Sequence, residues 1–518
     1  MSGETAKIKK TYIPPPVDGI NLIAPPNGLK PTEARELRNY LVYDWGIRER
    51  PAASSLHNTA GYLFSFYTND STQKILIVQG GASGSVHRMD TALDTTPTDI
   101  TGAVTINGTA ASAGNVFSCH FNKHLFFFDE VDVPWLYSIA GGGNCAATSI
   151  TGPTGGGTTV ATGWSYKNRL YMLEGSTGNP TQVHYSGTVG AIAGAFTAVD
   201  FAQVLDRPAP LLCGSSWGYN QGLQSEELFV LIGASGEVLI YSGDWPAAAN
   251  WQLIARASIP KPNGRDCIRK LGQELLISTV RGVIPLSKVI AGQKDADYFS
   301  ITRNIGPFGV FANHQFVVDS ETPFLFGSNV PVAGSSGVYP YPPVPNPNTD
   351  LYVQNYERGA WSSLRFPTSG TSSMVTANGY LVYLSNGSVF AMNLNGIVGE
   401  NTANAATIAS WKTPFFDFGE NRSLKSNHIR LLGTDLNSSV NSLKSTSYIL
   451  SDYLDTGTAP SVGLSNKTTT TTLGVPAIQQ LAPSGNGKSL SFCFSKTPAA
   501  EMNELYGFHT EYEVGGSY

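Results

Sequence analysis

The chain repeats one short phrase, and that repetition limits what it can become. A polar turn runs into a hydrophobic strand at Asn122-Lys-His-Leu-Phe-Phe-Phe128, Lys167-Asn-Arg-Leu-Tyr-Met-Leu173, Glu226-Glu-Leu-Phe-Val-Leu231, Gly272-Gln-Glu-Leu-Leu-Ile277 and Asn378-Gly-Tyr-Leu-Val-Tyr383. After a further turn each is answered by a second strand: Trp135-Leu-Tyr-Ser138, Val183-His-Tyr-Ser186, Leu239-Ile-Tyr-Ser242, Ile284-Pro-Leu-Ser287 and Ser388-Val-Phe-Ala391. The anchor residues Leu125, Leu170, Leu228, Leu275 and Leu381 lie 45, 58, 47 and 106 residues apart. The last interval is about twice the others and has room for one more unit, with Phe324-Leu-Phe326 and Leu351-Tyr-Val353 as its strands. An earlier unit fits Lys74-Ile-Leu-Ile-Val78 answered by Ser85-Val-His-Arg88. Several units end on a third strand marked by an aromatic: Phe196 follows Tyr185, Trp251 follows Tyr241 and Trp361 follows Tyr352. A period of roughly 40–58 residues made of three or four strands is that of a β-propeller blade, a small sheet that cannot bury both faces alone. Some seven units fit between residues 60 and 395, and closing them into a ring removes the exposed edges of the array.

The flanks break the period. Pro14-Pro15-Pro16 and Pro25-Pro26-Asn27-Gly28 predict an extended, turn-punctuated lead segment, and Pro31-Thr-Glu-Ala-Arg-Glu-Leu-Arg38 predicts a short helix, with proline and acids early and arginine late. Beyond residue 395, Trp411-Lys-Thr-Pro-Phe-Phe-Asp-Phe-Gly419, Lys425-Ser-Asn-His-Ile-Arg-Leu-Leu432 and the threonine-rich Lys467 to Leu473 predict a β-sandwich-like region. The proline tract Val338 to Asn348 predicts a semi-rigid projecting loop. The expected fold is therefore all-β: an extended arm with a short helix (1–58), a β-propeller of about six or seven blades (59–395) and a β-sandwich-like region (396–518). Only 14% of the 518 residues are charged, which argues against coiled coils and helical arrays, and 86 are Gly or Pro, too few for an aperiodic disordered tract.

The sequence gives little sign of catalysis. Gly214-Ser-Ser-Trp-Gly218 satisfies a bare GxSxG pattern, but a nucleophile elbow needs a strand before it and a helix after it, and here the flanks read as strand and loop. His120 and His124 are four apart on what reads as one strand face, without a cysteine to complete a metal site. Asp129-Glu-Val-Asp132 reads as an acidic hairpin turn lacking the further oxygen donors that calcium requires. Phosphate-loop, HExxH and dinucleotide signatures are missing. Asp and Glu make up only 38 residues, few to converge as glycosidase carboxylates. The five cysteines (Cys119, Cys145, Cys213, Cys267 and Cys493) are scattered and odd in number, which predicts reduced thiols rather than a disulfide framework. The N-terminus has no apolar signal core, and the apolar runs, such as Leu228 to Ile232, are far too short to span a membrane as helices. No catalytic, cofactor-binding or metal residue and no cofactor is expected, so the chain is read as a non-enzyme.

Three segments resemble a known family. Gly19-Ile-Asn-Leu-Ile-Ala-Pro-Pro-Asn-Gly-Leu-Lys-Pro-Thr-Glu-Ala-Arg-Glu-Leu-Arg-Asn39 followed by Gly46-Ile-Arg-Glu-Arg50 resembles the opening of the tail-nozzle and packaged-DNA stabilisation proteins of short-tailed bacteriophages. Gln182-Val-His-Tyr-Ser186 with Phe196, Asp200 and Phe201 is similar to that family's blade ending, and Trp411 to Gly419 leading to His428-Ile-Arg430 is similar to its exit from the propeller. Pro51 departs from the family's usual glycine after the second arginine. The resemblance implies a structural protein of the phage tail, assembled in the host cytoplasm. It would form a homohexameric ring below portal and adaptor, touching tail fibre, spike or needle proteins, and would retain the genome and then pass double-stranded DNA without binding it specifically. The net charge of −5, or −30 for six copies, suits such a wall, because a negative surface repels phosphates. Lumen-facing loops rich in Gly, Ser, Thr and acids are expected, and the N-terminal 30 residues with the helix 31–38 are expected to make the subunit or adaptor contacts. The alternative is a receptor- or glycan-binding propeller at a tail tip; a glycosidase-type propeller is the third reading.

Overall fold

A computed structural model describes residues 7–514 apart from several segments, the longest being 107–115, 330–349, 397–408 and 452–469. It is almost entirely β, and seven small antiparallel sheets follow one another along the chain. The third, for example, runs outward from Val160–Tyr166 through Arg169–Glu174 and Gln182–Ser186 to Gly194–Asp200. The fifth has three strands, Ile268–Leu271, Glu274–Thr279 and Gly282–Pro285, and the helix Leu286–Ile290 follows where the others have a fourth strand. The outermost strand of the seventh is Ala53–Asn58, which precedes the first blade in the chain and pairs with Ser388–Asn393. One blade thus takes strands from both ends of the array.

Seven apolar clusters show that the sheets close into a ring, because each is shared by two successive blades. They join blades one and two, two and three, three and four, four and five, five and six, six and seven, and seven back to one. Side chains alternate across a strand, so the second strand of each blade serves two neighbours at once. Leu125 and Phe127 face the first blade while Phe126 and Phe128 face the third. Leu228, Val230 and Ile232 face the fifth blade, and Phe229 and Leu231 the third. Strands buried on both faces lose the apolar–polar alternation of a one-sided sheet. This is why the repeat appears in the sequence as continuous hydrophobic runs, and why all five anchor leucines are buried in second strands.

The strand missing from the sequence reading is the innermost one. The polar turns before the anchor leucines are tight hairpins with positive φ at Asn122 and Lys123, at Lys167 and Asn168, and at Asn378 and Gly379, as the twist of a two-residue connection demands. Each joins an inner strand to the second, for example Phe117–Phe121 to His124–Phe128. The aromatics Phe196 and Trp361 belong to outermost strands, and Trp251 stands at the entry to one.

The expected helix at 31–38 is not formed. Glu33–Ala34 and Glu36–Arg38 are strands, and the second lies between two others: Arg38 opposite Ser363 of the sixth blade, and Leu37 opposite Trp411. An isolated eight-residue helix is marginal in water, whereas this insertion buries Ala34 and Leu37 and pairs the backbone on both sides. The lead segment is not a free arm either. Lys7–Ile13 pairs with Asn503–Val514, and Ile13 and Ile20 are buried with Trp411, Phe492 and Phe508 in one core. The sandwich is therefore built from residues of both chain ends, and its inner sheet continues that of blade six through Glu36–Arg38. The expected boundary at 58/59 thus moves, since Ala53–Asn58 belongs to the propeller. The proline tract 338–348 and most of the threonine-rich segment lie outside the described residues.

Candidate functional site

The inner strands surround the axis of the ring, and two of the residue groups singled out in the sequence lie on or beside them. Gly214-Ser-Ser-Trp-Gly218 is part of the inner strand Leu211–Gln221 of the fourth blade. No helix follows; the strand turns back into Gln224–Gly233. Gly214 is present for packing, since a Cβ there would stand 2.3 Å from the ring of Trp164 in the third blade. One blade earlier Phe128 crowds Gly163 in the same way, at 2.6 Å. Ser216 is buried and its Oγ accepts a hydrogen bond from Lys270 Nζ at 2.9 Å. Burial lowers the Lys270 pKa, while Glu227 and Cys119 oppose that shift. In its charged form the amine can only donate, so it holds the serine oxygen without withdrawing its proton. Trp217 Nε1 donates to the Gln273 carbonyl at 2.9 Å. The motif fastens the fourth blade to the fifth.

His120 and His124 do not share a strand. The chain reverses at Asn122 and Lys123, so His120 lies on the inner strand, while His124 on the second strand sits opposite Phe121. The His124 Nδ1 lies 2.7 Å from the Asn122 carbonyl. His120 reaches solvent, yet desolvation by its surroundings lowers its pKa, against a contact with the Ser65 backbone of the first blade. Among the described residues no three His, Cys, Asp or Glu side chains come together as a metal site.

The acidic turn holds itself together. Asp129 Oδ1 accepts from the Val131 and Asp132 amides at 3.0 and 2.8 Å, and burial raises its pKa. Glu130 meets Arg265, with both carboxylate oxygens 3.3 Å from one guanidinium nitrogen. Arg265 stands on the linker into the fifth blade, so the pair reaches from the second blade past Gly175 of the third, where a Cβ would overlap the Glu130 carboxylate.

The other concentration of chemistry is on the sandwich; it takes in Ile8 and Tyr12 from the N-terminal 30 residues expected to make contacts, and Trp45 and Tyr506, for which the sequence carries no expectation. Trp45, 42% exposed, stacks on Tyr43 with centroids 5.2 Å apart and meets Tyr506 edge-on. The Arg48 guanidinium lies 4.8 Å from the Tyr43 ring centroid and pairs with Glu504 at 2.9 Å. Tyr12 OH donates to the Tyr506 carbonyl at 2.5 Å. Ile8 and Tyr12 project from Lys7–Ile13 at 57% and 46% exposure, and the far edge of that strand pairs with no other strand among the described residues. Beneath this surface Asn39, at φ 59°, accepts from Arg50 Nε at 3.2 Å and from the Arg365 amide at 2.8 Å. That node ties the lead segment to the end of the sixth blade.

No protein-family model and no curated protein matches the chain. Solved structures similar to it include the β-propeller domain of Cps50 (Swd1) from Myceliophteria thermophila, at 10% identity and TM-score 0.39, covering 66% of this chain and 98% of that one. Another is YCF48 bound to D1 peptide, at 10% identity and TM-score 0.37, covering 67% and 99%.

Proposed function

We propose that this chain is a structural protein of a phage tail. Six copies form a ring below portal and adaptor that retains the packaged genome and gives it a path out. The observation that carries the reading is the surface of the sandwich: a strand edge at Lys7–Ile13 that pairs with no other strand among the described residues and bears exposed Ile8 and Tyr12, next to Trp45. An unpaired edge with apolar side chains is a template for a neighbouring chain. The rigid mount beneath it, where the sandwich and blade six share one sheet, suits a subunit that must hold a fixed angle to its neighbours. DNA would pass through the ring of subunits and not through a single propeller.

Native mass measurement of the purified protein tests this. A hexamer is expected, and Ile8→Asp with Trp45→Ala should shift it to monomer while leaving the circular dichroism unchanged. A wild-type trimer would point instead to the receptor-binding alternative, and a monomer at high concentration, or a hexamer indifferent to both substitutions, would remove the basis for the ring.

A further inference from the structure

The seam between the fourth and fifth blades contains a second pair of reactive groups. Cys213, on the inner strand Leu211–Gln221, and Cys267, on the linker just before Ile268–Leu271, place their sulfurs 3.5 Å apart. Both are free thiols, 4% and 1% exposed, in the apolar cluster shared by the two blades. A disulfide needs about 2.05 Å between sulfurs, so the two sulfurs must approach by about 1.5 Å to bond. The location matters as well, because among the described residues the fifth blade is the one with three strands, and the polar bonds described across its seam are those of Lys270 and Trp217.

We propose that Cys213 and Cys267 are a closable dithiol, a modification site at which a small-molecule disulfide locks blade four to blade five. One cysteine thiolate attacks the external disulfide, forming a mixed disulfide and expelling one thiolate. The second cysteine then attacks the protein sulfur of that mixed disulfide and expels the other. Two S–H bonds are lost, one protein S–S bond forms, and both electrons and both protons leave on the two released thiols. The contact with Cys267 and burial keep the Cys213 thiol protonated, so the lock closes when the seam opens transiently and the thiolate becomes available. Its rate therefore reports the opening of that seam. The idea is independent of the assembly role proposed above.

The test is to incubate the full-length reduced protein with oxidised glutathione just below its melting temperature, alkylate it in denaturant and map the unreduced digest by mass spectrometry. The expected product is one cross-link, Cys213 to Cys267, reversible by reductant, with Cys119, Cys145 and Cys493 alkylated and the melting temperature raised by a few degrees. In Cys213→Ala the cross-link should be lost and Cys267 should keep glutathione as a lasting mixed disulfide. Five alkylated thiols after that incubation, persistent mixed disulfides in the wild type, or a link between any other pair would overturn the proposal.

Discussion

At the scale of single residues, the ring depends on a few side chains fitted closely to their neighbours. The glycines under Trp164 and Phe128 leave no room for a methyl group. Gly214→Ala should cost about 1–3 kcal/mol, as overpacking of a filled interior usually does, and urea denaturation followed by Trp fluorescence measures it. Gly218→Ala on the same strand, where a Cβ would meet nothing within 4 Å, is the control and should cost much less. Asn39 combines a left-handed backbone with two accepted hydrogen bonds. Asn39→Ala loses both and strains φ, for an expected cost of about 2–4 kcal/mol. Glu36 gives the pH signature. Burial pushes its carboxyl up, but Lys412, Arg38 and the Ser410 hydroxyl outweigh that and hold it below the ordinary 4.5. A depressed folded pKa means a contribution fully present above 4.5 and lost as pH falls through the folded value. Stability measured from pH 6 down to acid should drop less steeply in Glu36→Gln than in the wild type; equal slopes would contradict the assignment.

At the scale of elements, the seventh blade is distinctive because its outermost strand, Ala53–Asn58, comes from before the first. A proline in any outer strand removes a ladder hydrogen bond, but here it also loosens the closure of the ring. A proline scan of Ala53–Asn58 should therefore lower the melting temperature more than the same scan of Gln252–Ser258, the outer strand of the fourth blade. Equal losses would mean that closure adds nothing beyond one sheet edge. The second and third strands of most blades were legible in the sequence, because burial on two sides writes Leu125 to Phe128 or Leu228 to Ile232 as unbroken apolar runs. The inner strands were not, since glycine, serine and threonine interrupt Val160–Tyr166 and Leu211–Gln221. The signal that could have found them was the turn: Asn122-Lys123 and Asn378-Gly379 favour two-residue hairpins, and a hairpin requires a strand upstream. The segment 31–38 was misread because its charges match a helix dipole, whereas its place between Ser363 and Trp411 is a tertiary fact that local propensity cannot carry. Nor could spacing foresee that Glu130 would find Arg265 or that Cys213 would meet Cys267, because each pair joins separate blades.

At the scale of the whole molecule, propeller and sandwich form one continuous object. Removing residues 1–30 does not free a passive arm; it strips Lys7–Ile13 from the sandwich and takes Ile13 and Ile20 out of its core. The truncated chain should aggregate or expose surface that binds a hydrophobic dye, a stronger outcome than loss of assembly alone, and a soluble, cooperatively melting product would show that the sandwich stands without them. The pairing of Lys7 with Val514 also has a consequence in time. The partners are separated by 507 residues, and at about 5–20 residues per second a ribosome needs about 25 to 100 s to deliver the second after the first. During that interval Lys7–Ile13 is without its partner strand, and for a shorter time Ala53–Asn58 likewise waits for Ser388–Asn393. A nascent chain of this protein must therefore keep Lys7–Ile13 from pairing elsewhere, and the lysines and prolines in and after it, Lys7, Lys9, Lys10 and Pro14 to Pro16, oppose such pairing.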